Sequence, residues 1–358
     1  MTVETAELRP GYHISRVIKG GWQLAGDHGA VDRAAAIADM EAFLEAGITT
    51  FDCADIYVGV EEMIGSFIAD VRARRGSSMA DKVKVHTKLV PDLSLLENIR
   101  ESDVEAIVDR SLKRLQVDRL DLVQFYWWDV SLGDPRVGMA ALKACQEKGK
   151  IAHLGVTNWD VVETQPFLDA GFDVVSTQVQ YSLLDRRAEQ TLVPWAAARD
   201  VHLLCYGTLA GGFLTETWLG APDPGYAFEN RSLVKYRLII DEFGSWETFQ
   251  ALLATLKAIG DKHAVSLASV ATRWVLDRPQ VSAGIVGARY ARHLPKTLEV
   301  FDVRLDPEDY ATIDAILAKA PGPQGPVFGL ERDRNGRHGR IMKYNLNTKP
   351  DDKVLGSG

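Results

Sequence analysis

The feature that most constrains this chain is a repeated alternation of short apolar, β-branched segments with longer helical patterns. A strand near Val17 to Leu24 is followed by a helical pattern over 31–46. Ile48 to Cys53 with helix 60–74, Val83–Lys88 with helix 102–116, Leu120–Phe125 with helix 136–148, and Ile151–Val156 with helix 160–170 repeat the unit. Val174–Val179 with helix 187–199, Val201–Tyr206 with helices near 246–262 and 266–277, and Ser282–Val286 with a helix from about 291 bring the count to eight. Strands separated by helices pair in parallel through crossovers. Eight such units predict an α/β fold of the closed (β/α)8 TIM barrel type. An open, doubly wound sheet would want a glycine-rich phosphate loop after its first strand, and Gly20-Gly21 does not supply GxGxxG.

The expected organisation is one barrel domain over 1–320 and a C-terminal extension over 321–358. A long connection over 215–245, rich in Gly, Pro and aromatics, follows the seventh strand. Segments of that length are usually functional or disordered. The extension contains PGPQGP and the locally basic ERDRNGRHGR. Two placements are open for it: a solvated tail on the barrel exterior, or a cover folded over the mouth.

Composition narrows the function class. Hydrophobic residues make up 46% of the 358 and charged residues 25%, a globular balance. A net charge of -8 without a long basic run argues against nucleic acid as a partner. Cys53, Cys145 and Cys205 are too widely spaced to suggest a metal site. The N-terminus lacks a signal-peptide pattern, and no apolar run approaches a membrane span. A soluble cytoplasmic protein acting on a small molecule is expected, its oligomeric state open. The terminal Gly356-Ser357-Gly358 is given no meaning.

Barrels of this type carry their active sites at the C-terminal ends of the strands. In order, those ends offer Asp52 and Tyr57, Lys88, Tyr126, Thr157 and Asn158, Gln178, Tyr206, and Gly287 to Arg289. A tyrosine has a pKa near ~10 in water. A neighbouring ammonium favours the phenolate and lowers that value. Lys88 is placed to act so on Tyr57, with Asp52 holding Lys88 charged, which would make Tyr57 a general acid and base. On spacing alone, a surface Asp–Lys pair beside a packed tyrosine fits equally well. His86 points to the same side of its strand as Lys88 and is expected one layer down, in a structural role, as is His153. Trp22, Trp127, Trp128 and Trp159 are candidates to line a cavity or to fill ordinary packing.

Five segments, GITTFDCADIYVGVEEMIG (47–65), VHTKLV (85–90), HLGVTNWD (153–160), VSTQVQYSLLDRR (175–187) and CYGTLAGGFL (205–214), resemble successive motifs of the aldo-keto reductase family. The bacterial and potassium-channel β-subunit-like branch is nearest, and the match runs from about residue 16 to 318. The resemblance implies a (β/α)8 barrel that moves hydride between NADP(H) and a carbonyl or alcohol. It places the proton-donor tyrosine on Tyr57, its lysine on Lys88 and its aspartate on Asp52. It assigns the nicotinamide carboxamide to Asn158, with Thr157 beside it, and to Gln178. The ring-stacking aromatic falls on Tyr206, and Trp22 joins this cofactor set. The backbone around Gly207, Leu209 and Gly211 would line the pyrophosphate. In IVGARYARHL (285–294), Gly287, Arg289, Arg292 and His293 are candidates for the phosphate of NADP, helped by a helix N-terminus near Tyr290.

Two departures stand out. Lys296-Thr297 occupies the place of the usual Glu-Asn pair that contacts adenine. At the fourth strand, Leu120-Asp121-Leu122-Val123-Gln124-Phe125-Tyr126-Trp127-Trp128 puts Tyr126 where the family reads histidine. Tyr126 then either replaces that histidine as the donor to the substrate oxygen, shapes a pocket for another substrate, or marks a weakened enzyme. The alternatives to carbonyl–alcohol interconversion are a cofactor-binding regulatory subunit and a sugar-modifying enzyme that oxidises transiently and recycles its cofactor.

Overall fold

The computed structural model describes residues 2–25, 31–228, 230–287 and 289–347. Two strands, β1 (Thr5–Arg9) and β2 (Tyr12–Ser15), form an antiparallel hairpin ahead of the barrel. Eight parallel strands then close on themselves: β3 (Val17–Gly20), β4 (Thr50–Asp52), β5 (Lys84–Leu89), β6 (Leu120–Phe125), β7 (Ile151–Thr157), β8 (Val174–Gln180), β9 (His202–Tyr206) and β10 (Val281–Gly287). β10 pairs with both β9 and β3, so the barrel has no open edge. This is the (β/α)8 barrel that the alternation predicts.

The helices of the outer ring are α1 (Arg33–Glu45), α2 (Val60–Arg75), the short α3 (Ser77–Ala80), α4 (Glu101–Leu115), α5 (Pro135–Glu147), α6 (Val161–Asp169) and α7 (Leu192–Ala197). They continue with α8 (Arg231–Phe243), α9 (Trp246–His263), α10 (Leu267–Leu276), α11 (Leu294–Leu298), α12 (Pro307–Leu317) and α13 (Gly329–Arg332). Several start on an aspartate cap. Asp32, Asp134, Asp160 and Asp306 each accept from backbone N–H groups of the first turn, an arrangement worth about 1 kcal/mol per cap. Among the described residues, no helix is long and apolar enough to cross a membrane.

The hairpin closes the bottom of the barrel. Leu8, Tyr12 and Ile14 pack with Ile18, Leu122, Val175, Leu204, Ala283 and Ile285 in a cluster separate from the strand–helix core. Tyr12 Oη meets His86 Nε2 at 3.0 Å, and its ring stacks on His153 with centroids 4.3 Å apart. His86 and His153 therefore belong to the floor and not to the mouth.

Three expectations about elements need correction. The connection over 215–245 is not irregular throughout, because α8 occupies its second half. Asn230 caps that helix by accepting from Ser232 N–H, and Tyr236, Ile239, Ile240 and Phe243 bury one face at helical spacing. The helix read over 187–199 is a 3-10 turn at Arg187–Glu189 followed by α7, six residues long. After β10 there is likewise a 3-10 turn, Ala291–His293, before α11.

Candidate active site

At the mouth, four strands contribute one buried polar layer. Lys88, near the end of β5, donates from Nζ to Asp52 Oδ2 at 2.7 Å and to Cys53 O at 2.8 Å. The other carboxylate oxygen of Asp52 accepts from Gln178 Nε2 at 2.7 Å and from Gln124 Nε2 at 3.3 Å. Gln178 Nε2 also reaches Gln124 Oε1 at 2.9 Å. The two-residue period of a strand puts Lys88, Gln124 and Gln178 on the inward face. Tyr57 lies in the turn after β4, its N–H donating to Ala54 O. Lys88 Nζ is 5.1 Å from the centroid of the Tyr57 ring, and Trp22 packs on that ring at 5.0 Å.

Burial and charge oppose each other here. Burial pushes Lys88 down, but Asp52 and Tyr57 outweigh it, and its pKa lies above the ordinary lysine value. For Tyr57, burial is the larger effect and raises the phenol to about 12, against the downward pull of Lys88. The sequence-based expectation of a phenol lowered below its ordinary value is therefore corrected: desolvating a phenolate costs more here than one ammonium returns. The proton stays on Tyr57 at neutral pH, and Lys88 limits the cost of losing it.

The residues that would face a nicotinamide are oriented by their own hydrogen bonds. Asn158 sits just past β7 with φ of 58°, a left-handed conformation that asparagine tolerates better than most residues. Its Oδ1 accepts from Tyr206 Oη at 2.8 Å. Gln178 spends its amine on Asp52 and Gln124. What these bonds leave is the amine of Asn158 and the carbonyl of Gln178, one donor and one acceptor, which is the complement of a carboxamide. Thr157 Oγ1 instead donates to Gln178 O at 3.2 Å.

The glycines at the mouth are closely approached. Gly207 and Gly211 have φ of 73° and 65°, and a Cβ on either would lie 2.5 Å from an atom of the Tyr236 side chain. Leu209 packs against the core between them. A Cβ on Gly287 would lie 2.1 Å from Gln23 Nε2. Arg289 and Arg292 both cover the Tyr290 ring, at 5.2 and 4.5 Å, and Arg292 Nε donates to the exposed His293 at 3.1 Å. Ala288, beside them, lies outside the described residues.

α8 and the segment after residue 320 cover this layer. Lys235 Nζ lies 5.1 Å from the Tyr206 ring centroid and 5.3 Å from that of Phe328. The fully buried Glu331 pairs with Arg187 at 3.4 Å and with Lys235 at 3.5 Å. Burial raises Glu331, but Lys235 and Arg187 outweigh it and hold its pKa below the usual value. Tyr126 is buried just beyond β6, edge-on to Trp128 at 4.8 Å and to Phe328 at 5.9 Å. Tyr344 packs edge-on against Trp128 at 5.0 Å, and Asn347 Nδ2 donates to Asp55 Oδ2 at 3.0 Å.

With this geometry in hand, comparison with known proteins is decisive. The profile of the aldo/keto reductase family matches residues 16–318. The chain belongs to the aldo/keto reductase family. The reductase is similar to the aldo-keto reductase YhdN of Bacillus subtilis, 29% identical over 326 residues that cover 89% of this chain and 95% of the relative. It is also similar to a probable voltage-gated potassium channel subunit beta of Oryza sativa, 28% identical over 87% of this chain and 96% of that one. Among solved structures, the glycerol dehydrogenase of Gluconobacter oxydans superposes with a TM-score of 0.72 at 26% identity, covering 90% of this chain and 98% of that one. An aldo-keto reductase from Klebsiella pneumoniae in complex with NADPH shares the fold, with a TM-score of 0.67 at 22% identity, covering 91% and 98%.

Of the residues singled out in the sequence of this aldo/keto reductase, Asp52, Tyr57, Lys88, Gln178 and Trp22 are joined by direct contacts, and Asn158 is joined to Tyr206. Tyr126 makes no hydrogen bond with any of them. Sequence reasoning missed Gln124, Lys235, Tyr236, Glu331 and Arg332. Gln124 was open to discovery, because it lies two residues before Tyr126 on a strand whose inward face alternates. The other four come from α8 and the far C-terminal segment, and nothing local ties them to the mouth.

Proposed function

We propose that the protein is an NADP(H)-dependent oxidoreductase that interconverts a small-molecule carbonyl and an alcohol, with Tyr57 exchanging the proton. One observation carries this reading in a chain of this family: Lys88 Nζ is held between the Asp52 carboxylate, 2.7 Å away, and the Tyr57 ring. The nicotinamide, when bound, supplies the hydride. In reduction, Tyr57 Oη would give its proton to the carbonyl oxygen. Lys88 stabilises the phenolate left behind, and Asp52 keeps Lys88 charged. In oxidation, Tyr57 takes the proton back. Asn158 and Gln178 offer the carboxamide a donor and an acceptor, Tyr206 offers the ring a flat face, and Tyr126 faces the substrate oxygen. Gly207, Leu209, Gly211, Gly287, Arg289 and His293 are assigned to the phosphates and ribose, and the segment after residue 320 to the substrate lid.

Nicotinamide absorbance tests this directly, with NADPH against aldehydes and ketones and with NADP against sugars and alcohols. Tyr57→Phe is expected to lower kcat by roughly 10²–10⁴ while NADPH affinity stays near that of the unmodified protein. Full activity in that variant would refute the assignment. Tight cofactor binding without turnover in either direction would favour a regulatory subunit.

A further inference from the structure

Tyr126 Oη is buried and has no hydrogen-bond partner. A buried hydroxyl left unpaired costs about 1–3 kcal/mol, so one kept at a strand end in the mouth marks a place for an incoming polar atom. The rings of Trp128 and Phe328 meet Tyr126 edge-on and keep water from its flanks. Arg332 N–H donates to Phe328 O at 3.1 Å, so Arg332 stands one turn from the ring that meets Tyr126, and Arg332, Glu331 and the Tyr344 phenol all act electrostatically on the Tyr126 hydroxyl. Glu331 is ion-paired with Arg187 and Lys235, its Oε1 accepting no hydrogen bond.

Arg332 is held by its outer nitrogens. Nη1 donates to Glu163 Oε1 at 2.9 Å, and Nη2 donates to the backbone oxygen of Asn158 at 2.8 Å. Its remaining nitrogen, Nε, is buried and has no acceptor. Two buried polar atoms of this neighbourhood, a phenol oxygen and a guanidinium N–H, are thus without a hydrogen-bond partner.

We propose that Arg332 is a positioning residue acting through Tyr126: it faces the lone pairs of the phenol oxygen and so directs the Tyr126 proton at the substrate oxygen. The chemistry follows from the donor inventory. A guanidinium has only donors, whereas a phenol has one donor and acceptor capacity. A cation near the phenol oxygen favours the donor role and strengthens it, because a positive charge stabilises the electron density left on the oxygen as its proton is shared. Burial drives the Tyr126 phenol above its ordinary pKa, and Arg332 is the largest influence in the opposite direction. The hydrogen-bond donor at the fourth barrel strand is thus a pair, with its charged half supplied from about two hundred residues later in the chain. This inference rests on the carbonyl-reduction reading for its consequence in turnover, but not for the pairing itself.

Two measurements test it. Arg332→Gln is expected to lower kcat for carbonyl reduction roughly tenfold, with NADPH affinity changed less than twofold in the sense of that same comparison, and Arg332→Lys to recover part of the loss. In a Tyr126→Phe background, Arg332→Gln should add nothing. An equal further loss there would overturn the proposal, since Arg332 would then act elsewhere, for instance through Asn158. The second measurement needs no turnover. A multiply fluorinated tyrosine placed at position 126 is acidic enough to titrate, and its fluorine resonance reports its ionisation. Its midpoint should rise by roughly one pH unit in Arg332→Gln and stay near the parent value in Arg332→Lys. An unchanged midpoint in Arg332→Gln would overturn the pairing even if carbonyl reduction is confirmed, and a raised midpoint would uphold it even if Tyr57→Phe remains active.

Discussion

Histidine 86 shows how one strand serves two ends of the barrel. Lys88 points to the mouth, while His86, two residues earlier, is fully buried on the floor against Tyr12 Oη. Burial, then Lys88 and His153, depress its pKa to about 3. The folded protein therefore keeps His86 neutral where the unfolded chain takes up a proton, below an ordinary value of ~6.5. The stability this group contributes is complete above that value and is lost as pH falls from there towards about 3. His86→Gln should be less stable at neutral pH, yet lose about 2–4 kcal/mol less than the unmodified protein on acidification across that window. Urea denaturation at a series of pH values measures this, and parallel pH curves for the two proteins would exclude it. At this scale much of the site was legible. Asp52 and Lys88 lie at strand ends that a two-residue alternation points inward, and Tyr57 lies in the turn that follows the first of them. What a sequence does not convey is the balance of burial against charge on Tyr57, because that depends on everything packed above the phenol.

Elements tell a different story at the two edges of the barrel. The eight strands announce themselves through β-branched runs, and most of their helices through amphipathic spacing and aspartate caps. α8 was hidden by its surroundings, since the Gly- and Pro-rich stretch before it and the aromatics around it read as loop. Its signal was nevertheless present, in Asn230 ahead of Tyr236, Ile239, Ile240 and Phe243. α13 is a single turn, held by the buried pairs of Glu331 with Arg187 and Lys235. Removing one member of a buried ion group typically costs about 3–5 kcal/mol, because the charges left behind stay desolvated. Glu331→Gln should therefore release the segment around it. Limited proteolysis is expected to cut between residues 321 and 347 at least roughly tenfold faster, while the barrel unfolds at nearly the same denaturant concentration. Unchanged cleavage would mean that the aromatic contacts of Phe328 and Tyr344 hold the segment without the ion pairs.

The whole molecule is a closed barrel with something over each opening. Below, the β1–β2 hairpin inserts Leu8, Tyr12 and Ile14 among the lower strand residues. Burying three such side chains contributes roughly 5 kcal/mol. Deletion of residues 2–15 should lower the urea midpoint accordingly, and an unchanged midpoint would show that the floor is stable without its plug. Above, α8 and the segment after residue 320 meet over Tyr126, Tyr206 and Asn158. The alternation of eight strand–helix units, and the inward aim of polar residues at strand ends, were determined by sequence alone, because both follow from local periodicities of the backbone. The cap over the mouth, the hairpin in the floor, the joining of Gln124 and Gln178 to Asp52, and the approach of Arg332 to Tyr126 were decided only in the tertiary structure. These contacts link residues from tens to more than two hundred positions apart, and no local period records which distant side chain will fill a given space.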